Sequence, residues 1–99
     1  MRKVIISDKV LEKLEQLENF LIYELMLSEE VALGKSGRMR MFLADLASPV
    51  DYSLCRFKKW RVLGYRCAIF EKSWIFAYEV FKNGGVIVRD MSHTAILTE

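Results

Sequence analysis

The stretch that decides the fold is SWIFAYEVFKNGGVIVRDMSH, Ser73 to His93. Two apolar runs flank Asn83-Gly84-Gly85. Asn-Gly and Gly-Gly accept positive φ at low cost, which hairpin turns demand. The runs are rich in Val, Ile, Phe, Tyr and Trp, side chains that suit a pleated, packed surface. Trp74–Lys82 and Val86–Met91 are therefore expected to form antiparallel strands.

Register decides which side chains share a face, because successive residues alternate sides. A two-residue Asn83-Gly84 turn sets Tyr78 opposite Arg89. A three-residue Asn83-Gly84-Gly85 loop sets Glu79 opposite Arg89 and Ile75 opposite His93. A Gly84-Gly85 turn sets Glu79 opposite Asp90, and like charges directly opposite are destabilising. The three-residue loop is the expected one. One face then carries Ile75, Ala77, Glu79, Phe81, Ile87, Arg89, Met91 and His93; the other carries Trp74, Phe76, Tyr78, Val80, Val86, Val88 and Asp90. Both faces are mainly apolar, so both are expected to be at least partly covered. Helices should pack on one. The other is either working surface or packs on the chain's own tail.

At 99 residues the chain fits one domain with one core. Hydrophobic residues are 53% and charged residues 28% of it, which excludes disorder. A net charge of +2 is too small to argue nucleic-acid binding. Charge is unevenly spread, however. Glu12 to Glu30 holds six Glu and one Lys, whereas Lys35 to Arg66 is basic, opposed only by Asp45 and Asp51. Such a basic middle forms a solvated face or binds phosphates or an acidic protein segment. Two cysteines, Cys55 and Cys67, make no disulfide framework, and Cys67 in its apolar run fits a small core residue. MRKVIIS lacks the long apolar run of a signal peptide, and no run approaches the ~20 apolar residues of a membrane span. The expectation is a soluble, reduced, cytoplasmic protein with no membrane contact.

Working outward, Lys3–Ile6 is a strand candidate and Ser7 a helix N-cap, with Asp8 in the first turn where the helix dipole favours negative charge. Val10, Leu11, Leu14, Leu17, Leu21 and Leu25 fall on one helical stripe. Phe20, Ile22, Tyr23, Met26 and Leu27 widen it, so the end of this helix is expected to be covered on more than one side. Ser28-Glu29-Glu30 opens a second helix toward Leu46. Gly34 and Gly37 each cost ~1 kcal/mol relative to Ala there, which leaves open a bent start or a loop before Arg38. Ala47-Ser48-Pro49 ends it. Asp51–Gly64 is a loop with Arg56, Lys58, Lys59 and Arg61 interleaved with Phe57 and Trp60. Tyr65–Lys72 alternates as a strand and turns tightly into Trp74. Ala95, Ile96 and Leu97 of the tail could add to the sheet. The order β-α-α-β-β-β predicts an α+β two-layer sandwich, with two N-terminal helices packed on one face of an antiparallel sheet and the first strand at an edge.

This order, and the residues that carry it, resemble the RelE/ParE superfamily, the toxins of type II toxin–antitoxin pairs. The resemblance covers nearly the whole chain: KVIIS with Ser7 and a Leu/Glu-rich helix, a second helix ending at L-A-S-P, a Y-R strand, and the block WIFAYEVFKNGGVIVRDMSH. Tyr78, Val80, Ile87, Val88, Arg89 and His93 stand where the family's late block has Tyr-x-Val, a turn, Ile/Val, an Arg and a His. The resemblance implies a plasmid-stabilisation type of toxin, a cognate antitoxin as partner, and one of two activities. RelE-like members cut messenger RNA in the ribosome, where cationic and acid–base groups must move protons at the 2′-oxygen and leaving oxygen and hold the phosphorane charge. ParE-like members bind DNA gyrase and have no known hydrolytic site. RelE-like members have an arginine where this chain has Ile75, which favours the ParE side. Under the alternative alignment Arg66 is the catalytic-type arginine, acting with Arg89 and His93. A non-toxic domain of the same fold is the third alternative.

Each candidate also has a plain structural role. His93 is a general acid or base with a near-neutral pKa, or a strand-end hydrogen-bonding group. Arg89 either pairs with Glu79 or meets phosphate or an acidic partner. Lys58, Lys59 and Arg61 around Trp60 form a basic-aromatic patch for nucleic acid or target, or a solvated loop with Trp60 tucked into the core. No metal spacing, Gly-rich phosphate loop or nucleophile elbow is present, and no cofactor is expected.

Overall fold

Ser7 and Ser28 start the two long helices for the reason their sequence context suggests: each hydroxyl accepts an N–H of the first turn, from Val10 at 3.3 Å and from Val31 at 3.2 Å. In the computed structural model, which describes residues 2–48 and 50–94, β1 is Val4–Ile6, α1 is Asp8–Asn19 and α2 is Glu29–Ala44, followed by a 3₁₀ turn at Asp45–Ala47. A short α3, Lys58–Arg61, precedes β2 (Arg66–Phe70), β3 (Trp74–Val80) and β4 (Val86–His93). Helix α2 runs unbroken through Gly34 and Gly37, so the expected bend is not needed: cooperative bonding over 16 residues and the burial of Ala32, Met39 and Leu43 outweigh two residues of poor propensity. The helical run ends where Ala47-Ser48-Pro49 predicts, with the 3₁₀ turn closing at Ala47 and Ser48 already extended; Pro49 itself and the tail beyond Thr94 lie outside the described residues.

The sheet order is β1-β4-β3-β2. It is mixed rather than antiparallel, because β1 pairs in parallel with β4. Helix α2 carries the chain back to the start of β1, where the Arg2 N–H donates to the Ala47 carbonyl at 3.3 Å. Strand β2 then sets off in the sense of β1, and a three-strand meander leaves β4 running that way too.

The β3–β4 register corrects the expected one. The connection is a three-residue loop, but it is Lys82-Asn83-Gly84: Phe81 donates to Gly85 at 2.8 Å, and Gly84 donates to Phe81 at 2.9 Å. Gly84 takes the left-handed position, φ +88°, and the Asn83 side chain accepts the Gly85 N–H at 2.8 Å. Glu79 therefore faces Ile87. A bulge between Ala77 and Tyr78 then leaves Arg89 opposite no residue and sets Trp74, not Ile75, opposite His93. The bulge also reassigns faces: Met91 joins the helix-facing side and Asp90 leaves it.

The main core lies between that side and the helices. Val10 and Leu14 of α1 and Met39 and Leu43 of α2 pack on Ala68, Phe70, Phe76, Tyr78, Val86, Val88 and Met91. Leu11 and Leu25, expected on the buried stripe, are exposed. So are Phe20, Tyr23 and Met26. The helix ends in a π-turn, Phe20–Glu24, and its apolar end is not covered as expected, since the sheet reaches only the side carrying Val10 and Leu14.

The segment before β2 covers the middle of the opposite face, at Ile75 and Ala77, while Ile5 and Ile69 toward its edges stay exposed. Cys55, Trp60, Ile75 and Ala77 form a second small core with Phe57, Tyr65 and Cys67. Cys55 and Cys67 form a disulfide, with Cα atoms 4.8 Å apart, which overturns the expectation of reduced thiols. The cause is local pairing: the Cys55 N–H donates to Tyr65 O at 2.9 Å and the Cys67 N–H to Ser53 O at 3.2 Å, which sets the two cysteines within bridging range.

Candidate functional site

Helix α3 and strands β2 and β4 carry all six sequence-predicted site residues except that their side chains point three ways. Lys58, Lys59 and Arg61 lie on α3, a single turn held by Trp60, which is buried in the second core. The Lys59 ammonium sits 4.9 Å from the centre of the Trp60 ring. The arrangement is the solvated-loop alternative with Trp60 tucked in, and its outer side presents cations.

Arg89, displaced by the bulge, donates from Nε to Glu79 Oε1 at 3.0 Å, its Nη2 lies 2.9 Å from the same oxygen, and its guanidinium lies over the Phe81 ring. The pair forms diagonally, not across the register. Half-exposed on both sides, it contributes no more than about 1 kcal/mol.

Arg89 and Lys59 meet at one open cavity of about 350 Å³. Trp60, Leu63 and Tyr65 supply its apolar walls, and Lys9 and Asp90 complete it. Lys9 and Tyr65 were not foreseen as site residues. Lys9 is placed there by the parallel β1–β4 pairing, which sets the first turn of α1 beside β4, and no local pattern announces that pairing. Asp90 is nearly buried and holds Lys9 at 3.1 Å and Lys13 at 2.7 Å. Burial pushes its carboxyl up, but the hydrogen bonds from Lys13, Lys9 and the Met91 N–H outweigh this and hold it below the usual carboxylate range.

Arg66 lies elsewhere. It pairs with Tyr78 at the start of β2, on the helix side of the sheet, and donates to the Tyr52 carbonyl at 2.7 Å. The buried Tyr78 hydroxyl accepts the Tyr52 N–H at 2.8 Å and donates to Asp51 at 3.3 Å. Arg2 closes the cluster on Asp51. Its hydrogen bond holds the Asp51 carboxyl below its ordinary value, while burial pushes the Tyr78 phenol up. This network fastens the start of the covering segment to the sheet.

No family model matches the chain, and neither does any curated protein or solved structure. The geometry alone therefore weighs the candidates. His93 stacks edge-on against Trp74 with ring centres 5.0 Å apart, four strand positions from Tyr78. With a rise of ~3.3 Å per residue and strands ~4.8 Å apart, His93 and Arg66 are separated by roughly 16 Å of backbone. Arg89 is on the other face from both. Among the described residues no group of three or more His, Cys, Asp or Glu could hold a metal ion, and no helix is long and apolar enough to cross a membrane.

Proposed function

We propose that this chain is the toxin of a type II toxin–antitoxin pair, acting by binding a cellular protein such as DNA gyrase and neutralised by a cognate antitoxin. Two things support the superfamily: the ordered motifs from KVIIS to His93, and an α+β chain order with two helices on one face of a four-stranded sheet. The choice of binding over cutting is carried by one observation, the dispersal of Arg66, Arg89 and His93. General acid–base work on one phosphodiester needs its groups within hydrogen-bond reach of the same few atoms. Here they occupy two faces and both ends of the sheet.

The test is induction of the chain in growing cells, with transcripts and plasmid topology followed together. The proposal expects growth arrest, DNA breaks or loss of supercoiling, and rescue by a small neighbouring reading frame. In-frame cuts in translated messages that vanish in His93→Ala and Arg66→Ala would replace it with the ribosome-dependent endonuclease. Growth that continues unchanged would favour a non-toxic domain of this fold.

A further inference from the structure

The α1–α2 hairpin leaves several large apolar side chains uncovered. Tyr23 is 72% and Met26 81% exposed. Val31, Leu33 and Met41 are exposed on α2, while Ala32, Met39 and Leu43 of the same helix are buried. Of these, Tyr23 and Leu33, with Leu11 and Ile22, form the apolar part of a groove of about 530 Å³ lined from both helices; Met26, Val31 and Met41 lie outside it.

The rim of the groove fixes the sign of its occupant. Glu15, Glu18 and Glu29 line it. The one cation among them, Arg40, is engaged by Glu18 at 3.5 Å. Between Glu12 and Glu30 the only Lys or Arg is Lys13, and it is turned to Asp90 on the sheet side. A second copy of the chain docked hairpin to hairpin would set these carboxylates against their equals, and like charges juxtaposed at an interface are costly.

We propose that the α1–α2 groove docks an amphipathic helix of a partner protein, one that lays apolar residues against Tyr23 and Leu33 and Lys or Arg residues beside Glu15 and Glu29. Anchors one helical turn apart suit such a groove, and the acidic rim selects the cationic partner and speeds its encounter. The inference deepens the reading of the chain as an interaction protein by naming the chemistry of a partner. It is measured on the purified chain, so its outcome is separate from whether induction is toxic.

The probe is a dye-labelled Leu/Lys amphipathic peptide of about 18 residues, five helical turns, followed by fluorescence anisotropy. A Leu/Glu peptide of the same pattern and a Lys-rich scramble without an apolar face are the controls. Saturable binding of the Leu/Lys peptide alone is expected. It should weaken with salt and fall roughly tenfold, the loss of one good contact, in Glu15→Lys and in Tyr23→Ser, both exposed positions whose helicity circular dichroism can verify. Equal binding of the Leu/Glu peptide or the scramble, no binding of the Leu/Lys peptide, or binding indifferent to both variants would overturn the proposal. So would sedimentation showing a dimer of the chain that Tyr23→Ser dissolves, since a second copy would then be the occupant.

Discussion

Asp90→Ala should be among the most damaging changes to a charged residue in this chain. Asp90 accepts three hydrogen bonds at the seam between α1 and β4: from Lys13 at 2.7 Å, from Lys9 at 3.1 Å and from its neighbour's N–H, Met91, at 2.8 Å. The Lys9 side chain is largely exposed, so its ion pair is worth about 0.5 kcal/mol or less. Lys13 is better shielded and also donates to the Met91 carbonyl at 2.9 Å, so its charge-assisted bond is worth about 1.5 kcal/mol. The Met91 bond adds about 1 kcal/mol. The sum, about 3 kcal/mol, corresponds to a melting-point loss on the order of 10–20 °C for a chain this size. Because the native Asp90 carboxyl is held below its ordinary value, its contribution is complete above the unfolded carboxylate pKa of about 4 and is lost as pH falls through the depressed native value. Urea titrations of parent and Asp90→Ala at pH 7 and in strong acid measure both effects. The gap between them should close in acid, and a cycle with Lys13→Met should show coupling of about 1 kcal/mol or more. A gap under about 0.5 kcal/mol at pH 7, or one that persists undiminished below the native pKa, would refute this assignment of forces.

Three further outcomes follow from other parts of the fold. Reduction of Cys55–Cys67, or Cys55→Ser with Cys67→Ser, should lower stability by about 3 kcal/mol for a loop of this length; thiol titration of the native, air-equilibrated chain should find none free, and two reactive thiols would contradict the bond. Gly34→Ala should stabilise by about 0.5–1 kcal/mol in thermal melts, because the position is helical and a Cβ there meets nothing within 4 Å; a loss of stability would mean that α2 is not continuous. Tyr78→Phe should cost about 1–2 kcal/mol in urea, since it strips the Tyr52 N–H of its acceptor and leaves Asp51 with one donor fewer.

The elements were legible wherever a residue type had one physical use. Ser7 and Ser28 could hardly be anything but caps, and the alternation around Asn83-Gly84 could hardly be anything but a hairpin. What local pattern could not carry was long-range pairing. The bulge at Arg89 shifts the register by one residue, and nothing in the alternation of β4 marks where the extra residue falls. The parallel β1–β4 contact, the placement of Lys9, and the approach of Cys55 to Cys67 depend on where distant segments land. For the same reason the candidate residues were identifiable by type but not by grouping. Lys59 and Arg89 share a cavity, whereas Arg66 is absorbed by the Asp51–Tyr78 network. The open hairpin end was missed because an apolar stripe looks alike whether it meets its own sheet or another molecule.

The central claim is that the chain acts by binding rather than by cutting. Its most direct test adds the purified chain to DNA gyrase with relaxed plasmid and ATP, and in parallel to ribosomes translating a defined message. The account predicts blocked supercoiling or trapped DNA breaks and an intact message. Unimpeded supercoiling together with cleavage of the message on the ribosome would contradict it.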